Sequence, residues 1–177
     1  RYYNTPLRRF KALGDVEIRH AKAERVDLAN KTVVVVNQSN DETLIRYDFL
    51  VIASGTSNGF WRDDHLRSEE QIDERLEQDA IAIRDANTVA VVGGGPCGVS
   101  CALNIRRAYP EKMVSLYISA DLPLPGYHEE ARQYYHRELT AAGVQIFSGH
   151  RAIAEEPTPK AGTIQFESGQ SAEADAI

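Results

Sequence analysis

Three glycines constrain this chain more than any other feature. Gly93, Gly95 and Gly98 lie in the stretch TVAVVGGGPCGVSCA, residues 88–102, at the spacing G-x-G-x-x-G. Each glycine answers a separate demand. Gly93 permits a tight turn out of a strand, Gly95 lacks the Cβ that would keep a ligand off the backbone, and Gly98 lets a helix lie close against a sheet. A helix starting here offers unpaired N–H groups and the positive end of its dipole to an anion. The pattern is that of a pyrophosphate cradle for a dinucleotide.

A glycine turn alone is weak evidence, and the flanking residues strengthen it. The run Val89-Ala90-Val91-Val92 is apolar and mostly β-branched, as a strand covered on both faces should be. After the turn, Gly98, Cys101, Ala102 and Ile105 form a stripe of mostly small residues at helical spacing. Pro110 stops the helix, and a second strand follows from Met113 to Ile118. Strand, loop, helix and strand fit within about thirty residues, the βαβ unit that the motif requires.

At 177 residues the chain is long enough for one domain, or one domain and part of another. Hydrophobic content of 42% and charged content of 26% belong to an ordinary globular protein. The net charge of −6 and the lack of any long basic cluster argue against nucleic acid as a partner. No run is long enough to cross a membrane as a helix, and no signal-like segment opens the sequence. The first residue is Arg1 and the only methionine is Met113, while residues 174–177 stop within a β-forming stretch. This predicts a piece of a longer protein.

Cys97 and Cys101 are one helical turn apart at the start of the motif helix. A low thiol pKa at a helix N-terminus suggests redox chemistry, but small residues packed on a helix face explain the pair better. A disulfide across one turn would also be strained. Two such cysteines form no extracellular framework, which favours an intracellular setting, cytoplasmic or peripheral to a membrane. His128 and His136, eight residues apart, are too far separated on one helix to share a metal ion. No nucleophile elbow and no H-E-x-x-H occurs, so neither a catalytic residue nor a metal ligand is expected in this chain.

Taken in order, the opening third reads as a small antiparallel β unit. Its strands are Val16–Arg19, Ala23–Leu28 and Thr32–Val36, with a hairpin turn at Asn30-Lys31. Leu44–Ala53 reads as two further strands, and the apolar run Phe49–Ala53 as a buried central one. A connector carrying Gly59 and Trp61 leads to the capping box Ser68-Glu69-Glu70-Gln71. The helix after it should run to about Ala86, with Ile72, Leu76, Ala80 and Ile83 inward and its acidic residues in solvent. Beyond the motif unit, Leu122-Pro123-Leu124-Pro125-Gly126 is a rigid turn. A helix over Tyr127–Ala142 then buries Ala131, Tyr135, Leu139 and Ala142, and Gly143 closes it. Val144–Phe147 is a third parallel strand. The tail, with Ile153, Ile164, Phe166 and Ala174 and a turn at Pro157-Thr158-Pro159, fits a β-meander.

Several of these segments together resemble a known family. Residues 47–55, YDFLVIASG, are similar to the Y-D-x-L-V-I-A-T-G segment of two-dinucleotide flavoproteins. The glycine motif, Tyr109-Pro110, Val114-Ser115-Leu116, Leu124-Pro125-Gly126 and Ala142-Gly143-Val144 continue the resemblance in order. The family is the FAD-dependent pyridine nucleotide–disulfide oxidoreductases, in the branch that includes apoptosis-inducing-factor-like and type II NADH dehydrogenase-like proteins. The resemblance implies an α/β, Rossmann-like FAD/NAD(P)-binding fold, a parallel sheet with a β-meander. Residues 1–56 would be part of the FAD-binding domain with its β insertion, and residues 57–177 the NAD(P)-binding domain. The family's first glycine motif and its late G-D motif, both for FAD, do not occur in this sequence.

The same resemblance implies a cofactor-binding set. Gly93, Gly94, Gly95, Pro96, Cys97 and Gly98 would meet the pyrophosphate of NAD(P)H, and Ala53, Ser54 and Gly55 belong to the flavin side. Ser100 stands where the family often has a glutamate toward the nicotinamide. Ile118, followed by Ser119, stands where an acidic residue usually meets the adenosine ribose. Without that carboxylate the 2′-hydroxyl loses its acceptor and a 2′-phosphate is not repelled, so NADH and NADPH are not distinguished. The function implied is transfer of hydride from NAD(P)H to FAD and on to a quinone, iron–sulfur protein or similar acceptor, with this piece alone inactive. The alternative is a non-catalytic nucleotide-sensing or interaction module with a divergent site.

Overall fold

The computed structural model describes residues 14–55, 65–153 and 161–177. These fall into two compact units, one of residues 14–55 with 65–68 and one beginning at residue 69. The expected connector around Gly59 and Trp61 and the turn at Pro157-Thr158-Pro159 lie outside the described residues.

The first unit is an antiparallel meander of β1 (Lys22–Asp27), β2 (Thr32–Val36) and β3 (Glu42–Arg46). Four consecutive valines make β2 the central strand, and Thr32, Val33 and Val34 are its buried residues. The expected hairpin turn forms: Asp27 accepts from the backbone and side-chain N–H groups of Asn30, and Lys31 takes a left-handed conformation at φ 51°. At the next turn the Asn37 side-chain oxygen accepts from the N–H groups of Ser39 and Asp41.

Two expected strands of this unit do not form. Val16–Arg19 has no strand partner among the described residues. The apolar run 49–53 is irregular, and Phe49 is 94% exposed, with Val51 and Ile52 also in solvent. A buried parallel strand exists only when neighbours satisfy its N–H and C=O groups on both edges. None of the described strands lies beside this run, so its composition alone does not make it a strand.

The second unit opens with α1 (Glu69–Asp85), preceded by Ser68 as the capping pattern requires. Ile72, Leu76 and Ile83 are half-buried, but Ala80 is exposed and the one buried residue is Asp79. That carboxylate is paired with Arg75 one turn earlier, at 3.1 Å, so it is not part of a solvated acidic face. Pairing makes its burial tolerable.

After α1 the chain builds a parallel sheet in the order β4 (Thr88–Val92), β5 (Met113–Tyr117), β6 (Gln145–Phe147). Two helices connect them, α2 (Pro96–Ala108) and α3 (Glu129–Ala142), and they pack against each other on one face. Side chains alternate across the sheet as the pleat dictates. Val89, Val114, Leu116 and Ile118 point into the helix-side core with Val99, Ala102, Leu103, Leu139 and Val144. Ala90 and Tyr117 point the other way, to Ile164 and Phe166 of the C-terminal hairpin, β7 (Gly162–Gln165) and β8 (Ser171–Ala174). There Tyr117 stacks on Phe147 at 4.8 Å, and His150 meets Phe166 edge-on at 4.9 Å.

The helix boundaries follow their local chemistry. Tyr109 ends α2 just before Pro110. The side chain of His128 accepts from the N–H of Glu130 and so caps α3, and Gly143 at φ 87° closes it. The buried stripes are rotated from expectation. On α2 the deepest residues are Val99, Ala102 and Leu103, and on α3 Leu139 is buried while Tyr135 stays exposed.

Two polar clasps have no counterpart in the sequence patterns. Lys112 is buried, and its ammonium donates to the carbonyls of Arg84 (2.7 Å) and Ala86 (2.6 Å) above the ring of Tyr109. It therefore satisfies carbonyls at the C-terminal end of α1 and complements that end's negative dipole. Asp175 accepts from the N–H groups of Asn87 and Thr88 and from the Thr88 hydroxyl, and its own N–H returns to Thr88. Beside it, Ala176 makes a parallel bridge to Val89, and Ala90 donates to the Ala176 carbonyl at 2.8 Å.

Lys112→Met should cost about 2 kcal/mol, because it leaves buried carbonyls without a donor. Lys22→Met on exposed β1 should cost less than about 0.5 kcal/mol, and urea unfolding measures both. The Thr88 and Asn87 donors hold the Asp175 carboxyl below its usual 3.8. A lowered native pKa gives stability that is present above the unfolded value and is lost as pH falls through the native one. The difference in urea midpoint between wild type and Asp175→Asn should therefore be present near neutral pH and shrink below about pH 4.

Candidate functional site

At the carboxyl end of β4 the chain turns at Gly93, whose φ of 114° is closed to residues with a side chain. Its N–H donates to the Tyr117 carbonyl at 2.9 Å, which ties the turn to β5. The helix then begins almost on top of this turn. A Cβ on Gly98 would lie 1.9 Å from the Gly93 carbonyl oxygen, so no larger residue fits there. Gly94 is tight for another reason: a Cβ there would lie 2.8 Å from the Cγ2 of Ile118. Gly95 is different. It is the N-cap of α2 at φ −74°, ψ 177°, and an added Cβ would meet nothing within 4 Å.

The donors around Gly95 are unspent. The first helical bond runs from Val99 N–H to the Gly95 carbonyl, and Pro96 has no N–H. The N–H groups of Gly95, Cys97 and Gly98 find no acceptor among the described residues. The first turn of α2 carries no acidic side chain, and the Gly95 N-cap supplies none, so the positive end of the dipole is not neutralised within the helix. Open space beside unpaired N–H groups at a positive helix end is what a bridging phosphate requires.

The other expected residues are placed unevenly. Ser119 is exposed where β5 ends. Ile118 is 1% exposed and packs beneath Gly94, so its side chain is the floor of the loop. Ser100 is exposed on α2, and its hydroxyl accepts from Asn104 one turn on. Cys97 is exposed and Cys101 half-buried, both as free thiols. Burial, and secondarily the neighbouring Cys97, pushes the Cys101 thiol above its usual 9.0, which makes it a poor nucleophile. Ala53, Ser54 and Gly55 are exposed in the first unit, with Gly55 at φ 71°.

The expected rigid turn after β5 forms, and it makes a contact that the sequence did not indicate. Its Leu124 is buried at φ 56°, and its N–H donates to the Gly94 carbonyl at 2.6 Å. The prolines on either side announce a rigid turn, but nothing in their spacing says what it touches. A groove of about 440 Å³ runs on from it between α2 and α3, past Pro96, Ser100 and Tyr127. Among the described residues no group of three or more metal-ligating side chains converges, and no helix is long and apolar enough to cross a membrane.

The family model for pyridine nucleotide–disulphide oxidoreductases matches residues 8–177. The chain belongs to that family. Among curated relatives of this chain, ferroptosis suppressor protein 1 of Xenopus tropicalis is 34% identical over 121 residues, covering 66% of this chain and 31% of the relative. The chain thus spans about a third of the length of the curated relatives it matches. The fold is shared with a ferredoxin reductase from Rhodopseudomonas palustris, at TM-score 0.68 and 21% identity over 98% of this chain and 43% of that one. It is also shared with the water-forming NADH oxidase from Lactobacillus brevis bound to NADH, at TM-score 0.60 and 17% identity, over 88% and 35%.

The geometry separates two glycines that the motif treats alike. Gly98→Ala must displace the Gly93 peptide and should cost about 2 kcal/mol or more. Gly95→Ala places its methyl in open space at a permitted φ and should change stability by less than about 0.5 kcal/mol. Thermal unfolding of the two variants checks the contrast.

Proposed function

We propose that this chain is the NAD(P)H-binding part of a flavoprotein oxidoreductase. The observation that carries the reading is the set of unpaired N–H groups on Gly95 and Cys97, set at the positive end of α2 beside a position with room for a ligand. In this reading the backbone of residues 93–98 grips the pyrophosphate, and α2 supplies the favourable field. Ser119, exposed at the end of β5, is the residue placed to meet the adenosine ribose. Ser100, one turn into α2, lies toward the nicotinamide. The residues of this chain bind and orient, and the bound cofactors supply the hydride chemistry.

Family membership supports a second dinucleotide, FAD, held in the parent protein by the domain to which residues 1–56 contribute, with Ala53, Ser54 and Gly55 on its side. Residues 57–177 form the NAD(P)-binding domain. The likeness to ferroptosis suppressor protein 1 supports the apoptosis-inducing-factor-like branch, with a quinone, an iron–sulfur protein or a similar acceptor receiving the electrons. With no catalytic residue of its own, the chain by itself binds nucleotide without turning it over. An intracellular setting, cytoplasmic or peripheral to a membrane, fits this role.

No carboxylate stands at Ile118 or Ser119, so neither nucleotide is selected by charge at that point. NADH and NADPH should bind this chain with Kd values within about tenfold of each other. Gly95→Ala should weaken both by about tenfold or more at unchanged melting temperature, because its methyl stands where the phosphates would approach. Fluorescence titration reads both results, and a folded wild-type chain that binds neither nucleotide would overturn the proposal.

A further inference from the structure

The glycine loop is not shaped by its own strand and helix alone. Leu124 N–H takes the Gly94 carbonyl at 2.6 Å, and this bond has a consequence across the peptide plane. The peptide is trans, so its C=O and N–H point in opposite directions. Drawing the Gly94 carbonyl toward Leu124 turns the N–H of Gly95 away from that turn, and this N–H is one of the donors that lack an acceptor.

The turn itself is held from α3. Arg132 is in that helix's first turns, with its side chain 18% exposed. Its Nη2 donates to the Asp121 carboxylate at 2.6 Å and to the Leu122 carbonyl at 3.3 Å. Its Nε donates to the Pro123 carbonyl at 3.3 Å, and its Nη1 to Glu129 at 3.2 Å. Asp121 also accepts from Leu122 N–H, and its carbonyl accepts from the Ser148 hydroxyl at the end of β6. One guanidinium thus fixes three consecutive residues whose next neighbour, Leu124, sits at a strained left-handed φ of 56°. Only a planar fork with several donors can do this, and a lysine could not.

We propose that Arg132 is a positioning residue for pyrophosphate binding. It locks residues 121–123, these hold Leu124 against the Gly94 carbonyl, and the Gly94–Gly95 peptide so fixed aims its N–H at the phosphate. The inference rests on the nucleotide-binding reading above and adds to it a residue that touches no ligand. It separates from a merely structural role by ligand. An effect carried through the Gly95 N–H weakens ligands that contain a pyrophosphate and spares those that do not.

The test titrates the full chain with ADP-ribose, NADH and adenosine, the last followed by ligand-detected NMR. Arg132→Leu should weaken ADP-ribose and NADH by about tenfold or more, the scale of lost charge-assisted hydrogen bonds, with adenosine unchanged. Arg132→Lys should fall between wild type and Arg132→Leu. Asp121→Ala, which removes one exposed partner of the guanidinium, should weaken the pyrophosphate ligands by about threefold, a smaller loss than truncating a buried group. If Arg132→Leu does not fold, the lysine and Asp121 variants decide by the same contrast. Wild-type affinity for ADP-ribose in all folded variants overturns the positioning role and leaves the nucleotide site standing. An equal loss of adenosine and ADP-ribose overturns it as well, since that marks general damage. A wild-type chain that binds none of the three overturns the nucleotide reading and this inference with it.

Discussion

The distance between the end of β4 and the start of α2 governs the region that would hold a ligand. With only hydrogen on the Cα of Gly98, the helix starts within van der Waals range of the Gly93 carbonyl, nearer than any methyl group could come. That approach brings the N–H groups of the first helical turn to the carboxyl edge of the sheet. It also lets Val99 and Ala102 reach Val114 and Leu116 without a gap. A side chain at either glycine would change both at once. Site geometry and core packing are therefore set by one contact, and the fold cannot relax one while keeping the other.

A second layer lies around that contact. Ile118 fills the space beneath Gly94, and Leu124 closes over it from the turn after β5. The glycine loop therefore rests on hydrocarbon and not on a carboxylate, and the turn that closes over it carries the ion pair of Arg132 with Asp121. In a molecule with a net charge of −6, the amino end of α2 stands out as locally positive, since no acidic residue occupies its first turn. At the start of α2 the attraction for an anion would come from backbone dipoles.

Most of the second unit was legible because its rules are local. Glycine spacing marked the turn, β-branched runs marked β4 and β5, and Pro110 and Gly143 marked where helices stop. What the sequence did not show was which side chains pair, whether one helical turn apart or far apart in the chain. Asp79 reads as one more solvated acid until Arg75 is seen folded against it. Lys112 is one basic residue among many until the carbonyls of Arg84 and Ala86 are found at its ammonium. Of the candidate site, the glycine turn and helix start at residues 93–98 were readable, while the inward turn of Ile118 and the bond from Leu124 to Gly94 were not. The run Phe49–Ala53 failed for the complementary reason: its composition is that of a buried strand, but a strand is defined by its neighbours.

The pairing of Thr88 with Asp175 joins residues 87 positions apart, and Ala90 with Ala176 is nearly as distant. Helical turns and hairpins close within about a microsecond to ten, whereas contacts of this span come late and slowly. In any state where residues 175–176 are undocked, β4 is paired on its β5 side alone, and the amides and carbonyls at Thr88–Ala90 are open to another extended chain. The carboxylate of Asp175 acts against that exposure. Its attraction for three donors at the start of β4 sets the register in which the late segment arrives, and a sliding or foreign strand without such a group has no equivalent anchor.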